Sequence, residues 1–239
     1  MDTQKKGDLY INGIGSSNGG QFDKVLINGR GSVNSDIDCN EFECNGLGTA
    51  KGNIRAEKVI VSGKGKMEGD VNSKKILVEG TAKIIGNVEV EKLRISGQTS
   101  IGGWLKGEEI QMKGTLSVGG DCEAETFKGE AQFTIGGLLN ADEVDIKIFW
   151  NCHVKEIGGR TIRVEYKESL VGNLLKPFTR HQLVTELMEG DKIEVEYTKA
   201  KIIRGNDVKI GPNCQIGLIE YTGELTVDKS ADVGETRRV

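Results

Sequence analysis

A period of seventeen residues constrains this chain more than any other feature. Val25, Phe42, Val59, Ile76, Leu93, Ile110, Phe127 and Val144 form one column, and two residues on run Ile27, Cys44, Val61, Val78, Ile95 and Met112. A third apolar column is Val33, Ala50, Met67, Ile84, Ile101, Val118, Ile135 and Cys152; a fourth is Ile37, Ile54, Val71, Val88, Leu105, Cys122 and Leu139. Two glycine columns punctuate them, one from Gly29 and Gly46 to Gly114, the other from Gly52 and Gly69 to Gly137. Self-similarity at a fixed period of this size marks a stacked-repeat architecture.

Within each repeat apolar and polar residues alternate, which is the signature of strands with one buried face. The glycines fall between these segments, at corners where a positive φ is often needed or a side chain would strike the next turn. Gly52-Asn53, Gly69-Asp70, Gly86-Asn87 and Gly120-Asp121 are corner pairs of the same kind. Seventeen residues are too few for a helical crossover, so the predicted fold is all-β: a single-stranded parallel β-helix with three short strands per turn of about 17 residues. Gly is high at 34 and Pro low at 2, without the every-third-residue glycine of collagen, so disordered and collagenous readings fail.

The first turn is irregular: Leu9, Ile11, Gly13 and Gly15 match Val25, Ile27, Gly29 and Gly31 at an offset of sixteen. The expected organisation is a tail over 1–8, β-helix over 9–166, a partly helical insertion over 167–190, further turns over 191–233, and a fraying tail over 234–239. In the insertion Leu183, Val184, Leu187 and Met188 stand at helical spacing before Gly190, a helix that either packs on the coil or, with Lys176 and Arg180 nearby, docks on a membrane or partner. Beyond it Ile193, Ile210 and Val227 read as one column, Val208 and Leu225 as another, Cys214 and Ala231 as a third, and Ile216 and Val233 as a fourth.

No stretch of 18 apolar residues exists and the start lacks a signal-peptide core, which predicts a cytoplasmic location. The formal charge is −4 with both signs mixed, so no nucleic-acid partner is expected. Cys39, Cys44, Cys122 and Cys152 lie on apolar faces and read as core thiols, not as disulfides or metal ligands. Outward columns, Asp23, Asn40, Glu57, Lys74 and onward beside Lys24, Glu41, Lys58, Lys75, Lys92 and Glu109, form a charged ridge; it reads as a solvated edge, with a cation or partner strip as the sharper reading. Leu26, Ile60 and Leu77 are candidates for a lateral contact. His153 and His181 have no nucleophile elbow, P-loop or paired carboxylates around them, so neither catalytic residues nor cofactors are predicted.

The exposed end of a solenoid is an unpaired strand edge, which is either capped or a surface for polymerisation. No cap is evident. Leu9, Ile11 and Phe22 are the predicted N-terminal interface; Ile219, Tyr221, Leu225 and Val227 the C-terminal one. Units such as Val59-Ile60-Val61-Ser62-Gly63-Lys64-Gly65-Lys66-Met67-Glu68-Gly69-Asp70-Val71 resemble those of the bactofilins, the polymer-forming cytoskeletal proteins of bacteria. The resemblance covers about Leu9 to Ile157. It implies a right-handed, three-sided coil, in line with the general hand of parallel crossovers, joined head to head and tail to tail into nonpolar filaments without nucleotide. It also implies a scaffold at the inner face of the membrane, serving cell shape, motility or envelope machinery, with itself, a paralogous bactofilin or membrane proteins as partners. This chain departs from the family pattern by continuing through the insertion into a second repeat block. The competing reading is a dimeric binding module resembling the β-helical half of the MinC division inhibitor.

Overall fold

The computed structural model describes residues 6–167 and 181–239, and every regular element among them is a β-strand. The fold is an all-β parallel solenoid. Two compact units divide it: residues 1–110 with 114–118, and residues 111–113 with 119–239.

In the first unit eight-residue strands alternate with four-residue strands. Gly20–Ile27, Ile37–Cys44, Ile54–Val61, Val71–Val78 and Val88–Ile95 are the long set; Arg30–Val33, Leu47–Ala50, Lys64–Met67, Thr81–Ile84, Gln98–Ile101 and Thr115–Val118 the short one. Each long strand pairs in parallel with its equivalent one turn on, as in Val25↔Phe42, Phe42↔Val59, Val59↔Ile76 and Ile76↔Leu93. The pairing passes from Cys39↔Ala56 to Glu41↔Lys58, omitting the residue between. The long strand therefore bends there, and inward positions step by three, from Cys39 to Phe42 and from Ala56 to Val59, each of them buried. That bend supplies the third face of the turn. The first turn pairs at sixteen, Leu9↔Val25 and Ile11↔Ile27, as its sequence offset predicts.

The core is a set of ladders of like residues. Val25, Phe42, Val59, Ile76 and Leu93 are each at most 2% exposed, and burying such a side chain stabilises by roughly 1.5–3 kcal/mol as an upper estimate. The glycines are required by close approach. A Cβ on Gly46 would lie 2.0 Å from the carbonyl oxygen of Gly29, and one on Gly80 would lie 2.1 Å from that of Gly63. Positive φ is not the reason: among the described glycines only Gly20, at 148°, has it. The second corner carries a polar ladder in which Asn53 N–H donates to Asp36 Oδ1 at 2.8 Å, Asp70 N–H to Asn53 Oδ1 at 2.9 Å and Asn87 N–H to Asp70 Oδ1 at 2.7 Å. Corner amides that no strand can satisfy thus find side-chain acceptors.

The second unit contains Cys122–Gly129, Gln132–Ile148, Cys152–Tyr166, Leu183–Val195, Thr198–Ile210, Gln215–Tyr221, Leu225–Val227 and Asp232–Arg238. One inward ladder runs Cys122, Leu139, Ile157, Met188, Ile203 and Ile219. The period is not constant here. Ile135 pairs with Val154, just before a register shift between Ile135 and Leu138, so the expected Ile135–Cys152 step is not kept. Ile193 pairs with Val208 and Val195 with Ile210, a turn of fifteen residues, so the expected column of Ile193, Ile210 and Val227 resolves into Ile193–Val208–Leu225 and Val195–Ile210–Val227. Tyr197, at φ 47°, closes the tightened corner and stacks on Tyr166 with ring centroids 4.2 Å apart.

Two expectations are corrected. Leu183, Val184, Leu187 and Met188 lie on a strand, not a helix, with Leu183 paired to Cys152 and Met188 to Ile157. The apparent helical spacing is the step of three at a solenoid corner, here from Thr185 to Met188, both buried. Residues 234–238, expected to fray, belong to the Asp232–Arg238 strand paired with Gln215–Tyr221. Lys176 and Arg180, invoked for docking, lie outside the described residues.

Candidate functional site

The strand edges that end each unit's ladders are where backbone groups remain to be satisfied. In the first unit Leu9–Ile11 pairs on one side with Gly20–Ile27, and Ile14–Ser17 pairs with Arg30–Val33. No other strand among the described residues pairs with either. Leu9 is half-buried and Ile11 buried, so together they close the core; Phe22 is half-buried beside Cys39. Two residues missed by sequence reasoning flank them: Tyr10, 52% exposed, and Ile14, 89% exposed. Both stand at outward positions, so no apolar column exposes them. Asp8 anchors this edge, accepting from the Tyr10 hydroxyl at 2.8 Å and from Lys24 N–H at 3.2 Å. The hydrogen bond to Asp8 raises the Tyr10 pKa.

In the second unit the predicted interface residues separate. Ile219 is fully buried and Tyr221 half-buried, because the Asp232–Arg238 strand lies on theirs, with Ile219↔Thr236 and Tyr221↔Arg238. Among the described residues Leu225 and Val227 pair only inward, with Val208 and Ile210, and Val227 is 40% exposed. Leu225 and Val227 therefore stay at the edge, joined by the half-buried Val233 of the last strand. Sequence reading reached only the start of the Asp232–Arg238 strand, where Val233 follows Ile216 in a column and pairs with it, because Val233 is the single apolar side chain in the strand.

The flanks are closed by ion pairs. Lys24 reaches Glu41 and Glu43 at 2.7 Å each, Lys58 reaches Glu41 at 3.2 Å, and Lys92 reaches Glu109 at 3.5 Å. Hydrogen bonds from Lys24 hold the Glu41 and Glu43 carboxyls below the usual range. In the second unit Arg204 bridges to Glu220 at 2.6 Å and Glu220 to Arg237 at 3.2 Å. Leu26, Ile60 and Leu77 are half-buried on an outward column shared with Glu43 and Arg94. A groove of about 590 Å³ beside the Asp36–Asn87 corner is lined by ladder residues whose Oδ1 atoms already accept backbone hydrogen bonds.

No three His, Cys, Asp or Glu side chains gather as metal ligands among the described residues. His153 is exposed on its strand, and His181 packs edge-on against Trp150 at 5.1 Å. All five cysteines are free and buried. Burial pushes the Cys122 thiol up to about 12 and the Cys152 and Cys214 thiols to about 11. No helix among the described residues is long and apolar enough to cross a membrane.

Parallel ladders and glycine corners define the class: an all-β parallel β-solenoid. The family model for the bactofilins, described as polymer-forming cytoskeletal, matches residues 2–86 and 64–140, and the chain belongs to that family. A Bacillus subtilis (strain 168) relative described as uncharacterized protein YhbE is 62% identical over 234 residues, 98% of each chain. A second protein of that strain, described as uncharacterized protein YhbF, is 36% identical over 87 residues, 36% of this chain and 35% of the relative. No solved structure matches.

Proposed function

We propose that this chain is a cytoskeletal scaffold that self-associates through its strand edges into filaments without nucleotide. The observation that carries this reading is the pair of open edges, Leu9–Ile11 with Phe22 in one unit and Leu225–Val227 with Val233 in the other, each placing apolar side chains beside unpaired backbone groups. Backbone pairing across such an edge extends a ladder, and the apolar residues seal the joint. The family's description as polymer-forming supports it. The filament acts in the cytoplasm, at the inner face of the membrane, organising cell shape, motility or envelope machinery. It takes a paralogue as co-polymer; the two Bacillus subtilis relatives support the coexistence of such chains in one cell.

Negative-stain microscopy of the purified protein without nucleotide tests the reading. Filaments are expected, and Leu9→Lys is expected to abolish them while the circular dichroism of the coil is kept. Discrete wild-type dimers at all concentrations would instead support the dimeric adaptor resembling MinC.

A further inference from the structure

All four Asn-Gly steps of the chain fall in its first turns: Asn12-Gly13, Asn18-Gly19, Asn28-Gly29 and Asn45-Gly46. Such a step can react with itself, because glycine lets its nitrogen swing onto the preceding carboxamide and puts no side chain in the way. Three of the four are restrained. Gly29 N–H donates to the Ile11 carbonyl at 3.2 Å, Gly46 N–H to that of Ile27 at 3.0 Å, and Gly19 N–H to Ser35 Oγ at 2.8 Å. Each of these glycines is also pinned, since an added Cβ would lie 2.0 Å from a carbonyl oxygen of the neighbouring turn. Gly13 has neither restraint. It is exposed, nothing lies within 4 Å of an added Cβ, and its N–H meets no acceptor among the described residues. The side chains make the same distinction. Asn45 Nδ2 donates to Asn28 Oδ1 at 3.1 Å and to Glu43 Oε1 at 2.8 Å, and Asn28 Nδ2 donates to Asn12 Oδ1 at 2.8 Å. This ladder holds the amide nitrogens of Asn45 and Asn28. It leaves that of Asn12 without an acceptor among the described residues, while Asn12 Oδ1 receives a donor.

We propose that Asn12 is a site of spontaneous deamidation, with the Gly13 nitrogen as nucleophile and Asn28 as the donor that polarises the reacting carboxamide. The Gly13 nitrogen bonds to Asn12 Cγ and gives up its proton; the Cγ–Nδ2 bond breaks, and Nδ2 leaves as ammonia, closing a succinimide ring. Negative charge developing on Oδ1 is met by the Asn28 Nδ2–H. Water then opens the ring at either carbonyl. One opening gives aspartate at position 12. The other gives isoaspartate, whose main chain runs through the former side chain and is one carbon longer. Ile11 O, which accepts from Asn28 and Gly29, and Gly13 O, which accepts from Arg30 at 2.9 Å, lie on either side of that added carbon. The isoaspartyl chain cannot keep both in register, so ageing loosens the first turn and leaves the inner turns whole. Nothing in this chemistry requires self-assembly.

Incubation of the full chain at pH 8 tests this, followed by peptide mapping that separates asparagine, aspartate and isoaspartate in the smallest species recovered by size exclusion. Asn12 is expected to convert more than about tenfold faster than the three restrained asparagines, which must await local opening. In urea all four should convert at similar rates. Asn28→Ala is expected to slow Asn12 about fivefold, one hydrogen bond's worth of barrier, whereas a merely looser first turn would speed it. Amide exchange at Asn28, Gly29 and Arg30 should quicken in the isoaspartyl fraction. Asn12 converting no faster than the other three in the folded protein would overturn the site. A rate unchanged or raised by Asn28→Ala would overturn the donor's part in it.

Discussion

At the scale of single residues, what glycine does here is leave room. Gly80 sits where a Cβ would press on the Gly63 carbonyl oxygen, and that oxygen belongs to backbone which cannot yield without shifting a ladder. Gly80→Ala should destabilise the protein by about 1–3 kcal/mol, read by urea unfolding. Gly13→Ala, with nothing within 4 Å of the added carbon, should change it by less than about 0.5 kcal/mol. The cysteines make a second residue-scale case. Their thiols are buried and held protonated, and the thiolate is the reactive form. The native protein should resist iodoacetamide at pH 8 and alkylate at all five positions in urea. Because burial raises these pKa values above the unfolded value near 8.5, their contribution to stability is complete below about 8.5 and is lost as pH rises towards about 11–12. Alkaline titration should therefore lower the unfolding midpoint, and Cys122→Ala should blunt that fall.

At the scale of elements, a bridge between turns is the unit of control. Lys24 serves Glu41 and Glu43, whose depressed pKa values mean a contribution present above the unfolded carboxyl value near 4.3 and lost as pH falls through the folded values. Lys24→Met should remove under about 1 kcal/mol of stability at pH 7, and unfolding curves at pH 7 and pH 3 should differ less than for the wild type. The strands of the first unit were legible in the sequence because alternation and period agreed there, from Val25 through Leu93. The Leu183–Val195 strand was not, because a solenoid corner and a helix share a step of three, and only a pairing partner separates them. The fifteen-residue turn was equally hidden: no sequence rule places a non-glycine residue such as Tyr197 at φ 47°. Of the edge residues, Leu9, Ile11, Leu225 and Val227 were legible as the last members of apolar columns. Tyr10, Ile14 and the Asp232–Arg238 strand beyond Val233 belong to no apolar column, so periodicity passed over them, whereas Val233 itself follows Ile216 as the column predicts.

At the scale of the whole molecule, a coil is stabilised turn by turn, since each turn packs on its two neighbours. Ile76 lies between Val59 and Leu93. Ile76→Ala should cost about 3 kcal/mol, and hydrogen exchange should quicken in Ile54–Val61 and Val88–Ile95 before it changes in Leu9–Ile11. The seventeen-residue register has one more consequence. Turns that nearly copy one another can also be mis-threaded, because a strand displaced by a whole turn meets a partner almost as good as its own. What distinguishes the right neighbour is the irregularity in the ladders: Phe42 between valines, Ala50 below Met67, Lys24 facing Glu41. These odd members serve as addresses, and a chain idealised to identical turns would keep its stability while losing its unique threading.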